Sequence, residues 1–182
     1  MNNIGDYYQA SLNKAEHCVL IGVKENKEKF DNLEKYLERL EISIEFTNKD
    51  TNAKDRISQL SQKTNQFNLT TRRYSVADIS NFFELDNFDI ISIIVSDKYG
   101  NTGLTGICII EYNGVSAIID TFLMSCRILG RKIEDYFIKF ILNYLFKIGI
   151  KTVTSEYIKT NKNIHRERLP IFVDNLKYLV KR

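Results

Sequence analysis

The sequence predicts a mixed α/β (α+β) domain in which helices cover both faces of a central, largely antiparallel sheet. Three apolar segments, at 88–96, 104–112 and 115–124, follow one another and are joined by short glycine-containing turns, which is typical of an antiparallel meander. Two of these segments are apolar at successive positions, so helices are expected on both faces of the sheet. A long amphipathic pattern follows the meander directly and predicts the main covering helix.

The segments before the meander alternate between helical and extended patterns. An apolar stripe opposite charged residues predicts a helix at 25–40, and alternation of polar and apolar residues favours a strand at 41–46. After a polar break, a helix is expected at 53–62, and the stretch 67–73 has strand character. Ser75, with an aspartate three residues later, forms an acidic variant of the capping box and predicts the start of another helix.

The segments after the meander complete the predicted domain. The pattern at 131–148 is the strongest helix in the chain, and Gly149 is suited to its C-terminal end. A strand is expected at 150–158 and a last helix at 166–179, which leaves little chain for further strands.

The polar break at 47–55 is the best candidate for a domain boundary, because no repeat or low-complexity segment divides the rest of the chain. We therefore expect a helical and linker extension with a short strand over residues 1–60. The main domain is expected over residues 61–182.

The composition narrows the class of protein. The net charge of +3 is too small to indicate a nucleic-acid partner. No run of about 18 apolar residues predicts a membrane span. Cys18, Cys108 and Cys126 are far apart and form no CxxC motif, which argues against a zinc site or a disulfide framework. We therefore expect a cytoplasmic protein without a bound metal.

A short basic loop links the third strand of the meander to the main helix. The stretch from Ser125 to Glu134 contains one glycine and three cations, Arg127, Arg131 and Lys132. A strand that ends in such a loop and leads into a helix is suited to binding phosphate, because the free N–H groups and the positive end of the helix dipole point at the loop. The sequence therefore predicts a site for the phosphates of a cofactor.

Three longer stretches carry a resemblance to a known family. They are KTNQFNLTTRRY at 63–74, DTFLMSCRILGR at 120–131 and EYIKTNKN at 156–163. These stretches closely resemble the C-terminal half of FkbH-like proteins (HAD-superfamily subfamily IIIC), which join a HAD-type phosphatase domain to a GNAT-like acyltransferase domain. The resemblance covers about residues 32–182, and the order of the predicted elements is similar to that of the GNAT fold.

The resemblance implies an activity and a cofactor site. FkbH-like proteins are implicated in loading acyl units onto acyl carrier proteins, so a GNAT-like acyltransferase is expected that uses acetyl-CoA, another acyl-CoA or a carrier-protein phosphopantetheine thioester. In the GNAT fold the pantetheine arm lies where the strand before the main helix splays from the next strand, and an Arg/Gln-x-x-Gly-x-Gly/Ala loop holds the diphosphate. The implied cofactor contacts are Phe122, Leu123, Met124, Arg127, Leu129, Gly130, Arg131, Lys132 and Asn161.

The chain departs from the family pattern in three places. No stretch resembles the DxDxT motif of the HAD domain, so phosphatase chemistry is not expected from this chain. Lys132 stands where the diphosphate loop usually has a small residue. Val173 aligns with the tyrosine that can protonate the leaving thiolate in the family, and valine has no proton to donate.

Acyl transfer from a thioester requires a base for the acceptor and an acid for the leaving thiolate. Glu156 and Asp120 are the candidate bases, and each is equally consistent with a paired strand carboxylate. Tyr157 is a candidate acid, the alternative being a half-buried core tyrosine. Cys126 is a candidate nucleophile beside a cation at a helix N-terminus, the alternative being a small buried thiol. The candidates for substrate binding, from a polar stretch that faces either a cleft or solvent, are Asn65, Gln66 and Arg72.

Two other functions are compatible with the sequence. The chain could be a non-catalytic module that binds a carrier protein or its phosphopantetheine arm, which Lys132 and Val173 favour. It could also be a structural partner that docks a separate HAD-family subunit through residues 1–60. The first alternative predicts ligand binding without turnover, and the second predicts a stable complex without affinity for CoA.

Overall fold

The computed structural model describes residues 37, 39–161, 163 and 177–181. The strands are β1 (Ser43–Asn48), β2 (Phe88–Asp97), β3 (Gly100–Asn113), β4 (Ser116–Met124), β5 (Thr152–Glu156) and β6 (Lys177–Lys181). The helices are α1 (Lys54–Lys63), α2 (Val76–Glu84) and α3 (Ile133–Lys147), and short 3-10 turns span Thr51–Ala53 and Cys126–Ile128. The six strands form one sheet in chain order. Neighbouring strands from β1 to β4 are antiparallel, and the two pairs that include β5 are parallel.

The predicted meander and its covering helices are confirmed. Ile90 and Ile91 are both fully buried, and they lie in different apolar clusters because successive residues of a strand point to opposite faces. One cluster joins a face of the sheet to α3 through residues such as Phe137. The other joins the opposite face to α1 and α2 through Ile57 and Ile79. The sheet is therefore buried between α3 and the α1–α2 pair.

The start of α2 follows its predicted cap. The backbone N–H of Asp78 donates to Oγ of Ser75 at 3.1 Å, and the backbone N–H of Ser75 donates to Oδ2 of Asp78 at 2.7 Å. These two hydrogen bonds form a complete capping box, which satisfies backbone donors that a helix end otherwise leaves open. The helix that follows directs Ile79 into the core.

The prediction of a last helix over 166–179 is wrong at its C-terminal end. Residues 177–181 instead form β6, which pairs in parallel with β5 along its whole length. A strand whose edge would otherwise be open gains backbone hydrogen bonds from this pairing, and that gain overrides the helical pattern. The sheet therefore has a final strand that the sequence did not predict.

Two other predicted elements are shorter than expected. The stretch 67–73 makes only one β-bridge, between Asn68 and Leu123, because Thr71 adopts a left-handed conformation with φ 58° that ends the extended segment. The main helix begins at Ile133 and not at Arg131, because Lys132 also has a positive φ, of 59°.

The sheet begins before the predicted domain boundary. β1 lies within the predicted extension but pairs with β2 over all of its residues, and residue 60 falls inside α1. The predicted helices at 25–40 and 166–179 lie mostly outside the described residues, so a division of the chain remains a prediction. No helix in the described part of the chain is long and apolar enough to cross a bilayer.

Gly106 provides a test of the packing between β2 and β4. A Cβ atom at this position would lie 2.8 Å from Cγ1 of Ile93 and 3.3 Å from Cγ of Met124. We expect Gly106→Ala to lower the free energy of unfolding by about 1–3 kcal/mol through overpacking, measured by urea denaturation. Ile93→Val removes Cδ1, which would lie 2.9 Å from the added Cβ, so the double variant should lose less than the sum of the single losses. Strict additivity would contradict the proposed crowding.

Candidate functional site

β4 and β5 run side by side only along the first part of β4. Their pairing ends at Ile119, which faces Ser155, whereas β4 continues beyond that point. The pairing of β4 with β3 shifts register at the same place, because Ile109 faces Thr121 while the next residue of β3 faces Ile119. Asp120 is therefore the extra residue of a β-bulge. We call the place where the two strands part, at Asp120, the fork.

A charged cluster occupies the fork. The guanidinium of Arg72 lies between two carboxylates: Nη1 pairs with Oδ1 of Asp120, and Nη2 lies 3.3 Å from Oε2 of Glu156. The hydroxyls of Tyr74 and Thr121 donate to Oδ2 of Asp120 at 2.5 Å and 3.0 Å. The Asp120 side chain is 12% exposed, whereas the Glu156 side chain is 49% exposed. Asp120 is thus enclosed by donors, and Glu156 can be reached from solvent.

Tyr74 is the member of this cluster that sequence reasoning missed. Burial and the hydrogen bond to Asp120 raise the pKa of Tyr74 to about 12, so its hydroxyl stays a proton donor to the carboxylate at neutral pH. No local pattern links two residues that lie 46 positions apart. An available signal was Asp120 itself, because an aspartate within an otherwise apolar strand requires polar partners.

The predicted phosphate loop follows β4. The N-cap position of α3 is Lys132, and no side chain caps the helix there. Gly130 has a φ of 79°, a left-handed conformation that glycine adopts without steric cost. Arg127 is exposed on this loop. The loop therefore offers a helix N-terminus without a side-chain cap and an exposed cation, which suits an anionic group.

Arg131, also predicted to contact the cofactor, is engaged elsewhere. Its Nη1 lies 2.7 Å from Oδ2 of Asp97 at the end of β2. The backbone N–H of Tyr99 and then Arg131 hold the pKa of the Asp97 carboxyl below its usual range. The ion pair fastens the phosphate loop to the turn between β2 and β3.

The edge of β4 beyond the fork is occupied by the chain itself. The backbone N–H of Leu69 donates to the carbonyl oxygen of Phe122 at 3.1 Å, and the N–H of Met124 donates to the carbonyl of Phe67 at 2.9 Å. Phe122, Met124 and the intervening Leu123 are fully buried. These are the residues for which the family resemblance implied contacts with a pantetheine arm.

Two predicted catalytic residues lie outside the charged cluster. Tyr157 is buried, and its hydroxyl donates to the carbonyl oxygen of Asn163 at 2.8 Å. Cys126 is exposed at the start of the 3-10 turn after β4. The structure thus brings Glu156 together with Arg72 but not with the other two candidates.

The remaining predicted site residues are mostly at the surface. Oδ1 of Asn65 accepts a hydrogen bond from the guanidinium of Arg73, and the neighbouring Gln66 is exposed. Asn161 lies exposed in the turn after β5. Leu129 is half-buried, and its backbone N–H donates to the carbonyl of Cys126 at 3.4 Å. None of these contacts identifies a ligand.

The described conformation fits only part of CoA. The N-terminus of α3, which has no side-chain cap, and the exposed Arg127 fit a diphosphate. The backbone groups of Phe122 and Met124 on the outer edge of β4 are already paired, so this conformation does not fit a pantetheine arm laid along them.

Comparisons with known proteins concern the fold. A transcriptional regulator from Bacillus halodurans C-125 aligns with a TM-score of 0.53 at 10% identity, covering 68% of this chain and 88% of the regulator. The ribosomal-protein-S18-alanine N-acetyltransferase of Escherichia coli aligns at 0.49 and 9% identity, covering 61% of this chain and 64% of the enzyme. An aminoglycoside N-acetyltransferase in complex with CoA aligns at 0.47 and 10% identity, covering 66% and 80%. No family model and no curated protein sequence matches the chain.

The class of fold follows from the sheet. An antiparallel meander leads through a phosphate-type loop into a long helix and then a strand, which is the order of elements that the sequence predicts for a GNAT-like domain. The predicted mixed α/β fold, with a largely antiparallel sheet covered by helices on both faces, is confirmed. At these identities the similarities extend to the fold alone.

Tyr74 gives a pH test of the fork. Because its pKa is raised in the folded state, the stability it contributes is fully present below about pH 10 and is lost as the pH rises toward 12. We expect the difference in phenolate absorbance between the wild type and Tyr74→Phe to titrate with a midpoint near pH 12. A midpoint near pH 10 would show that the hydroxyl does not bond to Asp120 in solution.

Proposed function

We propose that this protein transfers an acyl group from a thioester at the fork between β4 and β5. One observation carries the proposal: the strands part at a bulged aspartate, and the solvent-accessible carboxylate of Glu156 is held across from it by Arg72. In such a transfer the acceptor forms a bond to the acyl carbon, the carbon–sulfur bond breaks, and the proton lost by the acceptor ends on the leaving thiolate.

The two carboxylates of the fork have different proposed roles. Asp120 accepts hydrogen bonds from Arg72, Tyr74 and Thr121, so it is suited to positioning and poorly suited to taking another proton. Glu156 contacts only one of these groups, Arg72, and half of its side chain is exposed. We assign the base to Glu156, acting on the acceptor directly or through a water molecule.

The proposed acyl donor is acetyl-CoA, another acyl-CoA or a carrier-protein phosphopantetheine thioester. When bound, it would supply the activated acyl carbon. Arg127 and the N-terminus of α3, which has no side-chain cap, are the groups proposed to bind its phosphates, with Gly130 keeping the loop in its left-handed turn. An acyl carrier protein is the proposed macromolecular partner, and a separate HAD-family subunit is a second.

A non-catalytic binding module is a second candidate function. The observation that favours it is the pairing of Phe67 and Leu69 with the outer edge of β4, where a pantetheine arm was expected. Such a module would bind a carrier protein or a HAD-family subunit without turnover of a thioester. Turnover of a bound thioester separates the two functions.

Glu156→Gln tests the assigned base. We expect this variant to lower the rate of thiol release from acetyl-CoA, in the presence of an amine and alcohol acceptor mixture, by about 10²–10⁴-fold, because glutamine takes up no proton. The matched control is Glu84→Gln at the exposed end of α2, which should retain the wild-type rate. Equal rates for the two variants would exclude Glu156 as the base. Binding of acetyl-CoA without any turnover by the wild type would favour the binding module.

Gly130→Trp tests the phosphate loop. We expect this variant to abolish the thermal stabilisation produced by acetyl-CoA, CoA and phosphopantetheine. Arg127→Ala should reduce the same stabilisation. In the wild type, a ligand at 100 times its dissociation constant stabilises by about 2.7 kcal/mol. Gly114→Trp is the matched control, because Gly114 also has a positive φ and open space around it but precedes β4. No stabilisation of the wild type by any of the three ligands would exclude the proposed cofactor.

A further inference from the structure

The segment Phe67–Leu69, which we call the inserted segment, fills the gap beyond the fork. On one side it pairs with β4 through two backbone hydrogen bonds, Leu69 to Phe122 and Met124 to Phe67. Asn68 faces Leu123 as the central pair of this short antiparallel contact. The inserted segment therefore acts as a strand where β5 no longer reaches β4.

The other side of the inserted segment is held by the chain that follows β5. The backbone N–H of Ile158 donates to the carbonyl of Leu69 at 2.8 Å. Nδ2 of the buried Asn163 donates to the carbonyl of Asn68 at 3.1 Å and to that of Ile158 at 2.9 Å. The gap between the diverging strands is thus closed by backbone pairing on both sides.

We infer that the inserted segment competes with the pantetheine arm of the acyl donor for the outer edge of β4. This inference rests on the proposed function. A pantetheine arm is an extended chain with amide groups, so it can pair with the carbonyl of Phe122 and the N–H of Met124 as an added strand does. The inserted segment uses the same two groups, and both cannot be bound at once.

The contacts of the inserted segment determine what fraction of molecules is closed, with the segment on β4. Phe67 and Leu69 are buried in the core on the α3 side, which favours the closed form. Nδ2 of Asn68 is buried and has no hydrogen-bond acceptor among the described residues, a cost that release of the segment removes. The left-handed Thr71 ends the segment after one bridge, so only two backbone hydrogen bonds join it to β4. Only the open form binds the acyl donor. The apparent association constant is therefore the intrinsic constant multiplied by the fraction of molecules that are open.

A disulfide across the central pair tests the competition. Asn68 and Leu123 form a non-hydrogen-bonded antiparallel pair. The Cα atoms of such pairs lie about 4.5 Å apart, within the range of a disulfide. In the double variant Asn68→Cys, Leu123→Cys, oxidation locks the inserted segment onto β4, and mass spectrometry of the peptides verifies the link. We expect acetyl-CoA to bind the reduced protein and to bind the oxidised protein at least about 100-fold more weakly, with recovery after reduction. Equal binding by both forms would overturn the inference and leave the proposed function intact.

Hydrogen exchange of the wild type provides a second test that requires no ligand. The amides of Leu69 and Ile158 should exchange at least about tenfold faster than the paired amides between β3 and β4, because the segment opens without global unfolding. Equal exchange would overturn the inference whether or not acetyl-CoA binds. Failure of acetyl-CoA to bind, with fast exchange at these amides, would instead reject the proposed acyl donor.

Asn163→Ala tests the outer contact. Loss of its two hydrogen bonds to the carbonyls of Asn68 and Ile158 should weaken the closed form and tighten acetyl-CoA binding by about tenfold. Asn113→Ala, at the exposed end of β3, is the matched control and should bind as the wild type does. Unchanged or weaker binding by Asn163→Ala, with an intact fold, would contradict the competition.

Discussion

The outer edge of β4 changes its hydrogen-bonding partner halfway along the strand, and the rest of the site depends on this change. Up to Ile119 the partner is β5, and beyond Asp120 it is the inserted segment. The bulge at Asp120 bends the strand at the changeover, so an aspartate that would otherwise lie inside an apolar sheet reaches Arg72 and Tyr74. The charged cluster therefore forms where the β-bulge at Asp120 coincides with the change of hydrogen-bonding partner from β5 to the inserted segment.

Much of the fold could be predicted because its signals are local. The turns of the meander, the capping box at Ser75 and the apolar stripe of the main helix each depend on residues close together in the sequence. The end of the chain could not be predicted in the same way. β6 forms because β5 offers an edge, and that edge is a property of the assembled sheet and not of residues 177–181.

For the candidate site, the sequence indicated some of the residues that the structure brings together, and it did not indicate their geometry. Glu156 and Arg72 were found as candidates, and they do lie together. Their contact depends on the register of the sheet, because the two carboxylates that Arg72 contacts, Asp120 and Glu156, lie on different strands. Tyr74 had no local signal, and the phosphate loop was visible in sequence only because glycine and cations follow an apolar strand. The pairing of Arg131 with Asp97 shows that a basic residue in such a loop can serve to fasten it.

The inserted segment also constrains the order in which the chain can assemble. It precedes α2 in the chain, yet its two neighbours in the sheet are β4 and the residues after β5, which are made much later. Its pairings have a large sequence separation, and contacts of that kind form late in folding because a long loop must first be closed. During synthesis, the side chains of Phe67 and Leu69 stay exposed until β4 and α3, which bury them, have emerged. A chain truncated before Ile158 would leave the inserted segment without its outer backbone partner.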